Sequence, residues 1–157
     1  MSDSSSSQPV VAGAPKKLVG IKPTDDEIKA LLVGAKNIAI VGASDDQARP
    51  VYGVSQWLLD KTDYNLFFVN PRLKSLFGHE VYATVMDIPE WVDIVVVFRK
   101  SADVPKVLEE ALAARAKALW LQLGVTDDAS AMKANKSGLH MVQDRCIKIE
   151  YERLLLL

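Results

Sequence analysis

The residues most able to do chemistry begin with Gly42-Ala43-Ser44, which end the apolar run Asn37-Ile38-Ala39-Ile40-Val41. Gly42 lets the backbone turn closely, and successive N–H groups with the Ser44 hydroxyl can cup an anion. A helical pattern resumes near Gly53, and its positive end would face the same place. Gly42 also reads as a plain tight turn, but ligands of open α/β sheets bind beyond the carboxyl ends of strands, which favours the anion. The spacing is not the dinucleotide fingerprint G-x-G-x-x-G. No second glycine stands between Gly42 and Gly53, and the loop between them carries Arg49-Pro50. That fingerprint also needs a carboxylate after the second strand to hold ribose hydroxyls, where this chain has Asn70-Pro71-Arg72. An arginine fork there suits a phosphate on the adenosine ribose. NADP and coenzyme A both carry one, at the 2′ and 3′ positions. Taken singly, Arg72 and Lys74 read equally well as solvated surface charge.

Other reactive side chains form no constellation. Cys146, the single cysteine, has Arg145 and Lys148 nearby; with no evident base it reads as a buried structural residue. His79 lies in a Gly-His turn and His140 opens an apolar strand; neither has an acid beside it, and both read as structural. Glu150 and Glu152 read as a solvated helix face. Trp57, Trp91 and Trp120 read as packing, although an indole can also stack on an adenine. The sequence therefore nominates no catalytic residue and no metal ligand set.

The elements that position these residues alternate. Thr24-Asp25-Asp26-Glu27 is a capping box opening a helix that stops at Gly34. Strands are expected at Asn-Ile-Ala-Ile-Val, at Tyr64–Pro71, at Val92–Phe98, at Lys117–Gly124 and at Leu139–Gln143. Helices are expected from Val54 to Lys61, from Asp103 to Ala116 with Pro105 in the first turn, from Asp127 to Gly138, and from Cys146 to the end. The segment Leu76–Tyr82 reads as a turn. Short apolar runs alternating with helices predict an α/β fold, a three-layer sandwich whose mostly parallel sheet has about five strands. Its strand ends are Gly42-Ala43-Ser44, Asn70-Pro71-Arg72, Phe98-Arg99-Lys100, Gln122-Leu123-Gly124 and Gln143-Asp144-Arg145.

The whole chain has 157 residues, 49% apolar and 25% charged, with net charge −1. This is one domain of ordinary globular composition, with no bulk charge for nucleic acid. Residues 1–20, rich in Ser, Pro, Gly and Ala, are expected to be a disordered tail before a domain over 21–157. The tail is too weakly apolar for a signal peptide, and the terminal Leu-Leu-Leu-Leu is too short for a membrane span. The lone cysteine fits a reducing, cytoplasmic setting. The terminal leucines would finish a helix or meet a partner chain.

The segments IAIVGAS, YGVSQWLL, FFVNPR, GHEVYATVMDIPEWVDIVVVFR, ALWLQLGV and GLHMVQDRCIKIEYERL together resemble the small stand-alone CoA-binding proteins. These are single-domain relatives of the CoA-binding domain of succinyl-CoA synthetase α subunits. The resemblance runs from about Thr24 to Leu154 and implies a Rossmann-like fold holding coenzyme A at the strand ends. By that resemblance Gly42, Ala43 and Ser44 would contact phosphates, and Arg49, Pro50 and Gly53 would line the long loop and helix start. Asn70, Pro71 and Arg72 would lie near the adenosine and its ribose phosphate. Phe98, Arg99, Gln122 and Gly124 would floor a groove toward the pantetheine arm. The synthetase's phosphohistidine belongs to a downstream domain and matches neither His79 nor His140, so its activity does not carry over. Cys146, at a strand end, would be placed to exchange a disulfide with a CoA thiol. The expected function is a non-catalytic CoA or acyl-CoA binding module with no nucleic-acid or membrane partner and scope for a homo-oligomer. The alternatives are an NADP-dependent oxidoreductase using the same pocket, and an interaction protein that has lost its ligand.

Overall fold

The computed structural model describes residues 22–156; the tail expected over residues 1–20 lies outside them. Helix α1, Asp25–Gly34, starts on the expected capping box. The Thr24 hydroxyl oxygen accepts the Glu27 N–H at 3.1 Å, and the Glu27 carboxylate accepts the Thr24 N–H at 2.8 Å. Strand β1, Asn37–Val41, leads to α2, Pro50–Lys61, and then to β2, Asn65–Val69. A hairpin of β3, Ser75–Leu76, and β4, His79–Tyr82, follows. Strand β5, Ile94–Val97, helix α3, Val104–Ala113, and β6, Ala118–Leu121, come next; α4, Asp128–Lys136, β7, His140–Val142, and α5, Ile147–Leu155, complete the described fold.

The sheet has seven strands in the order β3-β4-β2-β1-β5-β6-β7, all parallel except β3 against β4. The five expected strands are present, and the hairpin adds two. Phe77 and Gly78 at its tip both have positive φ, as a two-residue type I′ hairpin turn requires. Strand β4 is fixed by pairing with β2 (Phe68 beside Val81, Val69 beside Tyr82), and a pairing between such distant segments leaves no trace in local periodicity.

Alternating residues of the central strands feed two cores. Ile38 and Ile40 of β1 and Ile94 and Val96 of β5 face α1, α2 and α5, whereas Ala39, Val41, Val95 and Val97 face α3 and α4. Burial on both faces explains why these strands read as continuous apolar runs. At the opposite pole from the strand carboxyl ends, the buried Asp93 carboxylate accepts the N–H groups of Lys36 and Asn37, both at 2.9 Å, and so fixes where β1 begins.

One expectation is corrected in α5. Glu150 is 6% exposed, not a solvated face, because it takes Arg145 at 3.1 Å and Arg153 at 2.6 Å. Arg153 also forks onto both Asp25 oxygens, at 2.9 and 2.7 Å, clipping α5 to α1. The Arg153 hydrogen bond holds the Asp25 carboxyl below its ordinary pKa of 3.8. A carboxyl depressed by folding stabilises the native state above its unfolded pKa, and that contribution fades as pH falls through the depressed value. Arg153→Ala should therefore lower the Tm near pH 7, and lower it less as the pH falls through the depressed pKa and Asp25 becomes protonated in both states. Thermal melts of the two proteins across that range check the sign.

Candidate functional site

Strand β1 lies between β2 on one side and β5 on the other, so the strand order reverses at β1. The crevice beyond its carboxyl end is where an open α/β sheet binds its ligand. Gly42 sits there with φ +87°, its N–H donating to the Val69 carbonyl at 3.1 Å, while the Ala43 N–H reaches the same oxygen at 3.3 Å. A Cβ at Gly42 would stand 2.4 Å from the Phe98 carbonyl oxygen. The glycine is thus dictated by the close approach of β1 and β5. Arg99 lies against it, since the same Cβ would be 3.0 Å from Arg99 Cδ, and its guanidinium is paired with Asp103 at 3.0 Å. Arg99 therefore flanks the glycine turn.

The long loop is a chain of nested turns. The Ser44 hydroxyl oxygen accepts the Asp46 N–H at 3.0 Å, Asp46 Oδ1 accepts the Ala48 N–H at 2.9 Å, and the Arg49 N–H donates to the Asp46 carbonyl at 3.1 Å. These turns deliver Arg49 to the N-cap of α2 and Pro50 to its first position. The helix therefore starts three residues before the expected Gly53, and proline is the reason: its fixed φ suits the first helical position. Arg49 makes no side-chain cap, and the first turn of α2 holds no acidic residue. Helices α1 and α4 differ: each begins on a capping side chain and has acidic residues in its first turn. The first turn of α2 therefore carries no carboxylate against the helix's positive end, and Asp46 in the preceding loop pairs with Arg49 at 3.8 Å. Gly53 is exposed, and a Cβ there would meet nothing within 4 Å.

Asn70 ties the second strand end to the first. Its Nδ2 donates to the Ala43 carbonyl at 2.7 Å, and its Oδ1 accepts the Arg72 N–H at 2.8 Å. Pro71 and Arg72 are exposed, and among the described residues the Arg72 guanidinium has no ion-pair partner. The ring of Tyr52, from the first turn of α2, packs on Phe77 of the hairpin tip at 4.8 Å between centroids. Spacing in the sequence carried no signal for that pair, because the hairpin itself was not legible.

The ends of β6 and β7 form a separate, internally bonded corner. Gln122, 5% exposed, accepts the Ile147 N–H on its side-chain oxygen at 2.9 Å and so caps α5. Its side-chain oxygen is thereby committed to the start of α5. Gly124 and Asp144 both have positive φ, and the Gly124 N–H donates to Asp144 Oδ1 at 2.7 Å. The Trp120 indole N–H donates to the Arg145 carbonyl at 2.8 Å. Cys146 is 8% exposed at the start of α5. The structure thus places Gly42, Ala43, Ser44, Asn70, Pro71, Arg72, Phe98 and Arg99 at or just beyond the carboxyl ends of β1, β2 and β5, and Arg49, Pro50 and Gly53 at the start of α2. Gln122 and Gly124 belong to the neighbouring corner. No described helix is long and apolar enough to cross a membrane, and among the described residues no cluster of His, Cys, Asp or Glu could hold a metal ion.

Comparison with known proteins shows the family. A family model described as a CoA binding domain matches residues 36–152. The uncharacterized protein YneT of Bacillus subtilis is 33% identical over 129 residues, covering 82% of this chain and 95% of that protein. A hypothetical protein of Pyrococcus horikoshii with a solved structure superposes with a TM-score of 0.80 at 32% identity, covering 92% of this chain and 99% of the other. An ADP-forming acetate–CoA ligase of Methanocaldococcus jannaschii is 33% identical over 75 residues, 48% of this chain but 10% of the ligase. By the extent of the family match and by its full-length relatives, the chain belongs to the CoA-binding domain family.

Proposed function

We propose that the chain binds coenzyme A in the crevice at the ends of β1, β2 and β5 and acts as a binding module, a carrier or sensor, without catalysing a reaction of its own. The observation that carries this reading is the start of α2 beside the Gly42 turn, with no side-chain cap and no acidic residue in its first turn, together with an Arg72 on the next strand end that has no ion-pair partner among the described residues. The N-terminal end of α2 favours a pyrophosphate there. Pro50 has no N–H and the Tyr52 N–H already donates to Arg49 at 3.0 Å, which leaves the Val51 N–H as an open donor. The Ser44 oxygen accepts within the loop, so its proton is available to an anion. Arg72 would pair with the 3′-phosphate. Coenzyme A supplies a thiol, and the chain's residues hold and orient the nucleotide that carries it. The polar groups at the far corner, Gln122 and Asp144, are engaged in holding β6, β7 and α5 together, which supports a binding role over a catalytic one.

Calorimetric titration with CoA, NADP, ATP and 3′-dephospho-CoA tests the reading. Arg72→Ala should weaken CoA binding by about tenfold or more while leaving dephospho-CoA binding unchanged, because a charge-assisted hydrogen bond to phosphate is worth roughly 1.5–3 kcal/mol. Binding of NADP in place of CoA would make the crevice an oxidoreductase site. Heat from none of the ligands would leave an interaction protein.

Gly53→Ala separates the ligand's needs from the fold's. The added methyl enters open space on a helix, so the free protein should gain up to about 1 kcal/mol in urea unfolding. The same methyl stands on the exposed first turns of α2, beside the proposed phosphate site, and the titration should show weaker CoA binding. A mutation that stabilises the fold yet lowers affinity marks a position kept small for the ligand.

A further inference from the structure

Gln122 is only half engaged. Its side-chain oxygen accepts the Ile147 N–H, which holds the amide against the first turn of α5. The Nε2 of the same amide therefore stands at that helix start too, and among the described residues it has no acceptor. Gln122 is almost wholly buried, so an idle donor there is costly. Ser55 Oγ is the one side-chain polar atom among the described residues that is both fully enclosed and without a partner. Gln122 Nε2 also lacks a partner but is not enclosed, so it keeps an opening at the start of α5. The backbone beside it is in the same condition. Cys146, at the N-cap, makes no side-chain cap. Gln122 takes the Ile147 N–H, and the Cys146 carbonyl takes the Glu150 N–H at 3.0 Å, which leaves Lys148 and Ile149 with open N–H groups. Glu150, the acidic residue of this first turn, is paired with Arg145 and Arg153. Three N–H donors thus stand at one helix start with no acceptor among the described residues.

These donors neighbour the crevice. Helix α5 packs on α2 through Tyr151 and Trp57, 5.7 Å between ring centroids, on the same face of the sheet. Only β5 stands between β1, which leads to α2, and β6, which ends at Gln122. At about 4.8 Å per strand, the carboxyl ends of β1 and β6 lie about 10 Å apart. A nucleotide held at the start of α2 leaves its pantetheine arm free to cross that gap. Free coenzyme A ends in a thiol, whose sulfur is a weak acceptor, whereas a thioester adds a carbonyl oxygen with two lone pairs for N–H donors. We propose, on the reading that coenzyme A binds at the ends of β1, β2 and β5, that the start of α5 recognises an acyl thioester. The thioester oxygen accepts from Gln122 Nε2 and from the open N–H groups of α5, which makes acyl-CoA, not free CoA, the preferred ligand.

Calorimetric titration of the full chain with acetyl-CoA and with S-ethyl-CoA, a thioether of the same chain length that has no carbonyl, tests this. The native chain should bind acetyl-CoA roughly three- to tenfold tighter than S-ethyl-CoA, the net effect of one hydrogen bond. Gln122→Glu keeps an oxygen for the Ile147 N–H and removes the Nε2 donor, so in that variant the ratio of the two affinities should fall to about one. NMR gives a readout that needs no variant. Acetyl-CoA isotope-labelled at its carbonyl carbon should show that resonance moved downfield on binding. The Lys148 and Ile149 amide protons should also move downfield relative to the S-ethyl-CoA complex. Equal affinities in the native chain, an undiminished ratio in Gln122→Glu, or an unmoved carbonyl resonance would overturn the proposal while leaving coenzyme A in the crevice. Failure of the native chain to bind either ligand would overturn it together with the CoA reading on which it stands.

Discussion

Gly42→Val should abolish CoA binding and destabilise the fold by about 3 kcal/mol or more, measured by titration and by urea unfolding. Two effects add. The φ of +87° lies where a β-branched residue is strained, and the new Cβ would stand 2.4 Å from the Phe98 carbonyl oxygen. That oxygen is backbone, held by the Phe98 N–H bond to Val41 at 2.8 Å, so neither partner can swing aside. Relief requires β1 and β5 to separate where the ligand crevice begins. Gly124→Ala is the internal control: its φ is +79° but a Cβ meets nothing within 4 Å. It should cost only the left-handed backbone strain, about 1–2 kcal/mol.

Trp120→Ala should cost about 3–5 kcal/mol, the usual range for truncating a buried large aromatic. Trp120 is fully buried on β6, between Val96 of β5 and Val142 of β7. Its indole also satisfies the Arg145 carbonyl. A domain has roughly 5–15 kcal/mol to lose, so the variant should give up a large share of its stability and melt well below the native chain. Trp120→Phe keeps a ring but orphans the carbonyl, and should cost about 1–3 kcal/mol. Calorimetric Tm values for both variants separate packing from the hydrogen bond.

The sequence was most informative where structure is decided locally or by burial on both faces. Ile38 to Val41 and Ile94 to Val97 announce central parallel strands because both faces are covered, and Thr24 with Glu27 announces a helix start because the capping bonds lie within one turn. The start of α2 was readable but misplaced: Arg49-Pro50 looks like loop, yet a proline is a natural first helical residue. Gln122 and Glu150 were beyond local reading. Each is buried by a partner distant in the chain or set across a turn, Ile147 for the first and the arginines 145 and 153 for the second. For the same reason the strand ends of the site could be named, but not which of their side chains turn outward. Arg72 does; Gln122 does not.

The clip between Asp25 and Arg153 bears on the order in which the chain assembles. Its partners are 128 positions apart, so forming it first would close a loop of nearly the whole domain, at an entropic cost that no neighbouring contact repays. Contacts between β1 and β2 or between β5 and β6 close much shorter loops. Docking of α1 onto α5 therefore belongs to the late side of the folding barrier. Interactions formed that late govern how fast the native state comes apart more than how fast it forms, which makes this surface pair a determinant of lifetime.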